Sequence, residues 1–265
     1  MSIEERSDDS PVGVKAVVQR SLAEATKREF LGVGCGSFCD VFLIPNTQLV
    51  IKIPFDVLED DVEPQVYKRL GAHPRILQCF GEFECILGRG LVFEYLPLGK
   101  LAQYIAPEHF PSERKQWSGQ AIEAILYIHS KGVIHCDVGI QNFLIRDNGS
   151  LVLADFYGSI LDGSQSEVST RSRYSRPLAI EERQLNQTER DDIFALGSVL
   201  YEIESGHRLY RDKTDREIHK LFQLRQFPDI SNIAAPLRFV IEKCWWDQYK
   251  STEGIKSDDS FSLYS

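Results

Sequence analysis

The stretch "GVIHCDVGIQNFLI", residues 132–145, places three polar side chains in a short loop between two apolar runs. His135 and Asp137 lie two positions apart, and Asn142 follows Asp137 after five positions. A carboxylate can orient a hydroxyl group and take up its proton, and an amide oxygen can bind a hard divalent cation. The stretch therefore indicates a loop that acts on a hydroxyl group beside a cation, although each residue alone is also compatible with an ordinary turn.

A second carboxylate follows at the end of the next apolar run, "LVLAD", where Asp155 is the last residue. Asp155 lies 18 positions after Asp137, which is enough for two strands that fold back and bring both carboxylates together. Carboxylate and amide oxygens are the ligands that Mg²⁺ prefers in proteins. We therefore expect Asn142 and Asp155 to be metal ligands and Asp137 to act on the hydroxyl group.

Two features upstream suit the binding of phosphate. Gly34 and Gly36 lie between predicted strands, where backbone N–H groups can approach an anion closely, although a glycine-rich hairpin without a ligand has the same sequence. Lys52 lies in an apolar strand, where an unpaired ammonium group is costly to bury. Glu63 on the next predicted helix can supply an anion, and a nucleotide phosphate can supply another. The alternative is a lysine on an edge strand that extends to water.

The two halves of the chain show different periodicities. Over residues 29–96, β-branched and aromatic side chains predict five strands, with one short helix that begins near Pro64. Farther along, apolar residues at helical spacing predict helices over 112–131, 188–206 and 235–246. A strand-rich part followed by a helix-rich part suits the binding of a nucleotide.

These patterns predict an α+β fold with a small antiparallel β-sheet and one helix in an N-lobe, and a larger, mainly α-helical C-lobe. Ser112 and Thr188 are the expected N-caps of two helices, and Gly206 is the expected end of the second. The expected boundaries are a polar leader at 1–26, a main domain at 27–250 that divides into 27–95 and 96–250, and a polar tail at 251–265.

The composition of the chain excludes several functional classes. Among 265 residues, 43% are hydrophobic and 26% are charged, and the net charge of −9 argues against a nucleic-acid-binding protein. The sequence shows neither the pattern of a signal peptide nor an apolar run of the ~20 residues that span a bilayer. The six cysteines form no C-x-x-C pair. We expect an intracellular, cytoplasmic protein without a membrane or nucleic-acid partner; the sequence does not indicate its oligomeric state.

Taken in order, these motifs resemble the catalytic domain of protein kinases, whose set is a G-x-G-x-x-G-x-V loop, V-A-I-K, a helix glutamate, H-R-D-L-x-x-x-N, D-F-G and A-P-E. The resemblance covers roughly Glu29 to Tyr249 and is closest to the short, divergent serine/threonine protein kinases numerous in fungi. It implies a bilobal protein-kinase-like fold, ATP and Mg²⁺ as cofactors, and transfer of the γ-phosphate to a hydroxyl group of a protein substrate. Serine or threonine is the default acceptor.

The resemblance also assigns roles to residues of this sequence. Asp137 matches the catalytic aspartate, Lys52 and Glu63 match the ion pair that positions the phosphates, and Asn142 and Asp155 match the magnesium ligands. Nucleotide contacts are assigned to Gly34, Gly36, Val41, Val50, Lys52, Glu94, Leu96 and Leu144.

The sequence departs from the family pattern at five informative positions. Cys136 replaces an arginine that, in the family, binds a phosphate on the activation loop. Gly139 replaces the lysine that steadies the transferring phosphoryl group. Tyr157 stands at the glycine of D-F-G. Leu178 removes the glutamate of A-P-E, and Thr252 lies near the expected place of its arginine partner.

These departures leave two alternatives to an active protein kinase. The first is a pseudokinase that binds ATP or a partner as a scaffold, and the second is a small-molecule phosphotransferase of the aminoglycoside or choline type. Retention of the ion pair, the catalytic aspartate and both metal ligands favours the active enzyme. Arg171, Arg173 and Arg176 lie in the loop that follows and can in principle compensate for the cation missing at Gly139.

Overall fold

The computed structural model describes residues 11–56, 62–166, 170–178 and 187–258. Those residues form two compact units. The first contains the described residues up to Ala72 together with Leu77–Tyr95, and the second contains His73–Ile76 and the described residues from Leu96 onward. Within the described ranges, no helix is long and apolar enough to cross a membrane.

The first unit contains a five-stranded antiparallel sheet with the order β1-β2-β3-β5-β4. All five predicted strands are present. Arg75, before the fourth strand, belongs to the second unit, and its carbonyl accepts a hydrogen bond from the Leu153 N–H. The strands are β1 (Leu31–Cys35), β2 (Cys39–Leu43), β3 (Leu49–Pro54), β4 (Cys79–Cys85) and β5 (Gly88–Glu94).

One face of this sheet is covered by α1 (Pro11–Glu24), which lies within the segment expected to be a polar leader. Val18 and Leu22 are buried in a cluster that also contains Ile51 and Val92 of the sheet. The leader interpretation is therefore wrong for residues of α1, because apolar side chains one helical turn apart pack on the sheet. Residues 1–10 lie outside the described ranges.

The second unit is mainly helical, so the predicted α+β class is confirmed. The helices of this unit are α3 (Trp117–Ser130), α4 (Glu189–Ser205), α5 (Asp215–Gln223), α6 (Ala235–Trp245) and α7 (Thr252–Lys256). The strands of this unit pair as β6 (Val133–Ile134) with β9 (Ile160–Leu161) and β7 (Phe143–Ile145) with β8 (Leu151–Leu153).

The long helix α4 is buried as predicted, and Gly206 ends it with a φ of 75°. At its start, the Asp191 carboxylate accepts hydrogen bonds from the backbone N–H and the hydroxyl of Thr188.

Two expectations for the second unit are wrong. Ser112 makes no capping hydrogen bond through its side chain, because a short 3-10 helix over Glu113–Gln116 precedes α3. The expected polar tail at 251–265 begins with α7, in which the apolar residue Ile255 is fully buried. Residues 259–265 lie outside the described ranges.

Candidate active site

Lys52 of β3 and Glu63 of α2 (Glu63–Leu70) form the ion pair that the sequence predicted. The lysine Nζ lies 2.9 Å from Oε1 and 2.7 Å from Oε2 of the glutamate, and the side chains are only 13% and 4% exposed. Glu63 is the first residue of its helix, where the helix dipole stabilises a negative charge. Each of the two side chains therefore holds the other in place, and loss of either partner would leave a buried charge uncompensated.

The strand register places four predicted nucleotide-contacting residues on one face of the sheet. Gly34 lies opposite Val41, and Val41 lies opposite Lys52. Val50 lies two positions before Lys52, so its side chain points to the same face. Ile51 points to the other face, which packs against α1. The face that carries the lysine is therefore separate from the face that forms the hydrophobic core with α1.

Neither Gly34 nor Gly36 is required by the conformation of the hairpin. Neither has a positive φ, although a glycine is usually selected for that reason. A Cβ added at Gly34 would make an ordinary contact at 3.5 Å from the Cβ of Val41, and one at Gly36 would lie 3.3 Å from the Cys39 sulfur. Because the fold itself tolerates a side chain at Gly34, the glycine is better explained by space for a ligand.

Asp192 of α4 holds the loop that contains Asp137. Its carboxylate accepts hydrogen bonds from the backbone N–H groups of His135, at 2.7 Å, and Cys136, at 3.0 Å. The His129 ring lies 2.9 Å from the same carboxylate. Cys136 has a left-handed backbone with φ of 68°, a strained conformation for a residue other than glycine. The hydrogen bonds to Asp192 of α4 therefore fix the loop backbone at His135 and Cys136, the two residues before Asp137.

Asp137, Asn142 and Asp155 are brought together as predicted. The Asn142 side-chain amide donates to the backbone carbonyl of Asp137 at 2.8 Å and to its Oδ2 at 3.0 Å. The Asn142 carbonyl accepts a hydrogen bond from Ala154, at 2.9 Å, which ties the loop to the residue before Asp155. The Oδ1 atom of Asp137 is buried, and no described residue forms a hydrogen bond with it. One carboxylate oxygen is thus fixed, and the other is left for a ligand.

The surroundings of Asp137 favour acceptance of a proton. Burial raises the pKa of the Asp137 carboxyl above its ordinary value, and the nearby charge of Asp155 adds to that rise. His135, the hydrogen bond from Asn142 and the charge of Arg171 oppose the rise. A carboxylate with a raised pKa is a stronger base than an exposed aspartate, which suits the role expected from the sequence.

Asn142 and Asp155 are a chemically suitable pair of ligands for Mg²⁺. The amide nitrogen of Asn142 is committed to Asp137, which leaves its amide oxygen for a cation. Asp155 is exposed and has a left-handed φ of 66°. No group of three or more histidine, cysteine, aspartate or glutamate side chains among the described residues could hold a metal alone. Two oxygen ligands supplemented by substrate phosphates are the usual arrangement for Mg²⁺.

The substitution of Tyr157 for the glycine of D-F-G is accommodated by the next residue. Gly158 adopts the positive φ, 83°, and Tyr157 does not have one. A tyrosine at this position therefore carries no backbone strain, because the conformation that needs a glycine has moved by one position.

The remaining predicted nucleotide-contacting residues have contacts within their own units. The Glu94 carboxylate accepts a hydrogen bond from the Gln78 N–H at 2.9 Å, and the Glu94 N–H donates to the Gln78 carbonyl. The Leu96 carbonyl accepts from Gly99 at 3.0 Å and closes a turn. Leu144 is half-buried in β7. The roles of these three residues in binding a nucleotide stay predictions.

Sequence reasoning missed Gln141, whose side chain lies over Gly139. A Cβ added at Gly139 would lie 2.4 Å from Nε2 and 2.5 Å from Oε1 of Gln141. Thr170 was also missed, and its hydroxyl donates to the Cys136 carbonyl at 2.6 Å. The one signal in the sequence was the missing side chain at Gly139, which leaves space that a neighbour can occupy.

Comparisons of the chain with a family model and with known proteins indicate the same family. A family model described as "Protein kinase domain" matches residues 33–255. The chain is similar to Aurora kinase A-A of Xenopus laevis, with 28% identity over 229 residues that cover 80% of this chain and 55% of that protein. It is similar to Aurora kinase A-B of Xenopus laevis, with 30% identity over 213 residues, 74% of this chain and 51% of that protein.

Similarity extends to Mitogen-activated protein kinase kinase kinase 20 of Arabidopsis thaliana, with 29% identity over 159 residues, 54% of this chain and 46% of that protein. The chain thus spans about half the length of these curated relatives. The family match covers the glycine-rich hairpin, the ion pair and the Asp137 loop, and the sheet-containing and mainly helical units are those of the bilobal kinase fold. The chain therefore belongs to the protein kinase domain family.

Proposed function

We propose that this chain transfers the γ-phosphate of ATP to a hydroxyl group of a protein substrate. The observation that carries the proposal is the state of Asp137: Asn142 binds one of its carboxylate oxygens, and the other is buried with no hydrogen-bond partner among the described residues. An unpaired buried oxygen on a carboxylate is costly unless a ligand satisfies it. A hydroxyl group that donates its hydrogen bond to this oxygen is the ligand that the kinase reaction requires.

The chemical step is an in-line displacement at phosphorus. The hydroxyl oxygen of the acceptor forms a bond to the γ-phosphorus, and the bond between that phosphorus and the β,γ-bridging oxygen breaks. Asp137 orients the hydroxyl group and takes up its proton, so the products are a phosphorylated protein and ADP. The raised pKa of Asp137 supports this role, because it makes the carboxylate a better proton acceptor.

The ATP-binding residues act mainly by position and charge. Lys52, fixed by Glu63, is proposed to bind the α- and β-phosphates, and Gly34 and Gly36 allow backbone N–H groups to approach the phosphates. Val41, Val50 and Leu144 are proposed to contact the adenine ring, and the backbone of Glu94 and Leu96 its polar edge. Asn142 and Asp155 would hold Mg²⁺, which when bound neutralises charge on the phosphate oxygens.

Serine or threonine is the proposed acceptor. One relative, named Serine/threonine-protein kinase RUNKEL, of Arabidopsis thaliana, is 31% identical over 141 residues, which is 10% of that protein. The cytoplasm is the proposed location, supported by six cysteines that are all free thiols. The proposed partner is a protein substrate, with neither nucleic acid nor a membrane as a partner.

The deciding experiment measures transfer of labelled phosphate from ATP-Mg to the chain itself and to casein. We expect transfer by the parent, loss of transfer in Asp137→Asn, and labelled serine or threonine in the product. Asp147→Asn is the matched control, because Asp147 is exposed in the β7–β8 turn and should leave the rate unchanged. ATP binding without transfer in the parent would establish a scaffold, and transfer to an aminoglycoside or choline but not to protein would establish a small-molecule enzyme.

A further inference from the structure

The space beside Gly139 is occupied by a polar side chain from the same loop. Gln141 is only 7% exposed, and its amide lies where a side chain at position 139 would begin. Neither the oxygen nor the nitrogen of that amide has a hydrogen-bond partner within the part of the chain that the structure describes. A buried amide without partners is destabilising, so its retention indicates a ligand that supplies them.

The same loop carries a second unsatisfied group, the Oδ1 atom of Asp137. Asp137 and Gln141 therefore present buried polar atoms on either side of Gly139. In the family, position 139 carries a lysine that steadies the transferring phosphoryl group, and this chain has no side chain there. The unsatisfied amide and carboxylate together mark the place where a ligand with both donor and acceptor groups would bind.

A cation is available close to this loop from the segment that follows D-F-G. The Thr170 hydroxyl donates to the carbonyl of Cys136 at 2.6 Å, which fixes Arg171 near the residue that precedes Asp137. Arg171 is exposed and forms neither a hydrogen bond nor an ion pair with any described residue through its side chain.

The side chains of the other two arginines of the segment are bound to other groups. Arg173 donates to the backbone carbonyls of Leu209 and Tyr210. Arg176 pairs with the carboxylate of Asp191 at 3.0 Å. Of the three candidates expected from the sequence, Arg171 is thus the one that directly follows a residue bonded to the Asp137 loop and whose guanidinium group is not held by a carbonyl or carboxylate of a described residue.

We propose that Arg171 and Gln141 together replace the missing lysine: the Gln141 amide donates a hydrogen bond to the transferring phosphoryl group, and Arg171 supplies the positive charge. The inference rests on the proposed phosphate transfer. Both groups act on negative charge that develops on the phosphoryl oxygens, while the proton of the acceptor hydroxyl group still moves to Asp137. Interactions of this kind stabilise the transition state more than bound ATP, so they govern kcat more than affinity.

The test compares Arg171→Ala, Arg171→Lys and the control Arg173→Ala in steady-state transfer from ATP-Mg to casein. Arg171→Ala should lower kcat by roughly 10²-fold with little change in the KM for ATP, the typical effect of losing one transition-state contact. Arg171→Lys should recover most of the rate, because it restores the charge. The melting temperature should not change, since Arg171 makes no contact that stabilises the fold. Arg173→Ala should keep the parental KM and most of kcat.

A second variant tests the amide independently. Gln141→Leu keeps the size of the side chain and removes two unsatisfied buried polar atoms, so its melting temperature should equal or exceed that of the parent. Its kcat should nevertheless fall at least roughly tenfold. A rise in stability with a fall in rate is a result that a purely structural role cannot produce.

The outcomes separate this inference from the proposed function. If the parent transfers phosphate, Asp137→Asn does not, and Arg171→Ala and Gln141→Leu both match the parent, the inference is overturned and the kinase reaction stands. If Arg171→Ala lowers both the melting temperature and kcat, and Arg171→Lys restores neither, the inference is also overturned, in favour of a structural role for Arg171. A parent that binds ATP without transferring phosphate overturns the proposed function itself.

Discussion

Arg176 and Asp191 form an ion pair in which the guanidinium Nε lies 3.0 Å from the carboxylate Oδ1. The side chains are 10% and 13% exposed, and the guanidinium group also lies 3.7 Å from Asp247. Arg176 lies two positions before Leu178, which stands at the A-P-E glutamate that this chain lacks. The chain thus has an ion pair at the end of this segment in which the cation precedes Pro177, and the anions lie on and beyond α4.

This pair should contribute strongly to the stability of the second unit. Arg176→Leu should lower the free energy of unfolding by about 3 kcal/mol, because it leaves the Asp191 carboxylate without its cation in a largely buried place, while Asp247 keeps its ion pair with Arg190. Urea denaturation measures the change. The control is Arg211→Leu, since Arg211 and Asp212 form an exposed pair whose loss should cost less than about 1 kcal/mol. Equal effects of the two substitutions would contradict a structural role for Arg176.

Helix α1 should stabilise the first unit although it lies in the segment expected to be a polar leader. Val18→Ala should lower the free energy of unfolding by about 2 kcal/mol, because the fully buried side chain loses two methyl groups and leaves a cavity. Val17→Ala is a matched control, since Val17 is 54% exposed. Thermal or urea unfolding of both variants measures the difference. Equal stabilities would mean that α1 does not pack on the sheet in solution.

The packing of α1 on the sheet was not predicted, for a clear physical reason. Val14, Val18 and Leu22 are spaced by one helical turn, but polar residues such as Lys15, Gln19 and Arg20 lie between them, and the acidic residues before the helix hid the apolar stripe. Burial of this stripe depends on the sheet face that carries Ile51 and Val92, whose position follows from strand pairing far along the chain. Periodicity within one segment could indicate a helix there, but not its partner.

The arrangement of the candidate active-site residues was more predictable, because their chemistry restricts the sequence. Lys52 in an apolar strand demands an anion, and Glu63 supplied one in the structure as predicted. The spacing from Asp137 to Asn142 is fixed by one loop, so a local pattern was enough. Gln141 could not be predicted, because the direction of its side chain depends on the space left at Gly139 and on the fold of the whole loop.

Gly34 offers a test of binding that is separate from folding. Gly34→Ala should keep or slightly raise the melting temperature, because the added Cβ makes only ordinary contacts and alanine has less conformational entropy to lose. The KM for ATP should rise roughly tenfold, since the methyl group takes space needed by a phosphate. Steady-state kinetics and thermal unfolding measure the two effects. An unchanged KM would remove Gly34 from the ATP site.

Activity should not depend on phosphorylation of the segment over residues 155–177. Cys136 replaces the arginine that receives such a phosphate in the family, and burial raises the pKa of its thiol, so it carries no charge at neutral pH. The geometry that a phosphate would impose is already supplied in part by the hydrogen bond from Thr170 to Cys136. Phosphatase treatment, checked by mass spectrometry, should leave kcat unchanged. A large and reversible fall in rate would contradict this expectation.

The last prediction concerns the return of a lysine to position 139. A sequence-based argument favours Gly139→Lys as a gain of rate, because it restores a cation at the transition state. The structure reverses this expectation for the single substitution, since the Cβ of any residue at 139 would lie within 2.5 Å of the Gln141 amide. Gly139→Lys alone should therefore lower kcat, and Gly139→Ala should lower it too, because both displace the buried amide.

The gain should appear only when Gln141 is also shortened. Gly139→Lys combined with Gln141→Ala should have a higher kcat than either single variant, because the lysine then occupies the cleared space and its charge replaces the lost amide. Steady-state transfer to casein for the four members of this double-mutant cycle measures the coupling between the two positions. Additive effects in the cycle would show that Gln141 does not occupy the place of the missing side chain. A strong positive coupling in kcat, with the KM for ATP nearly constant, would show that the two positions serve the same phosphoryl group and that this chain reaches it from Gln141.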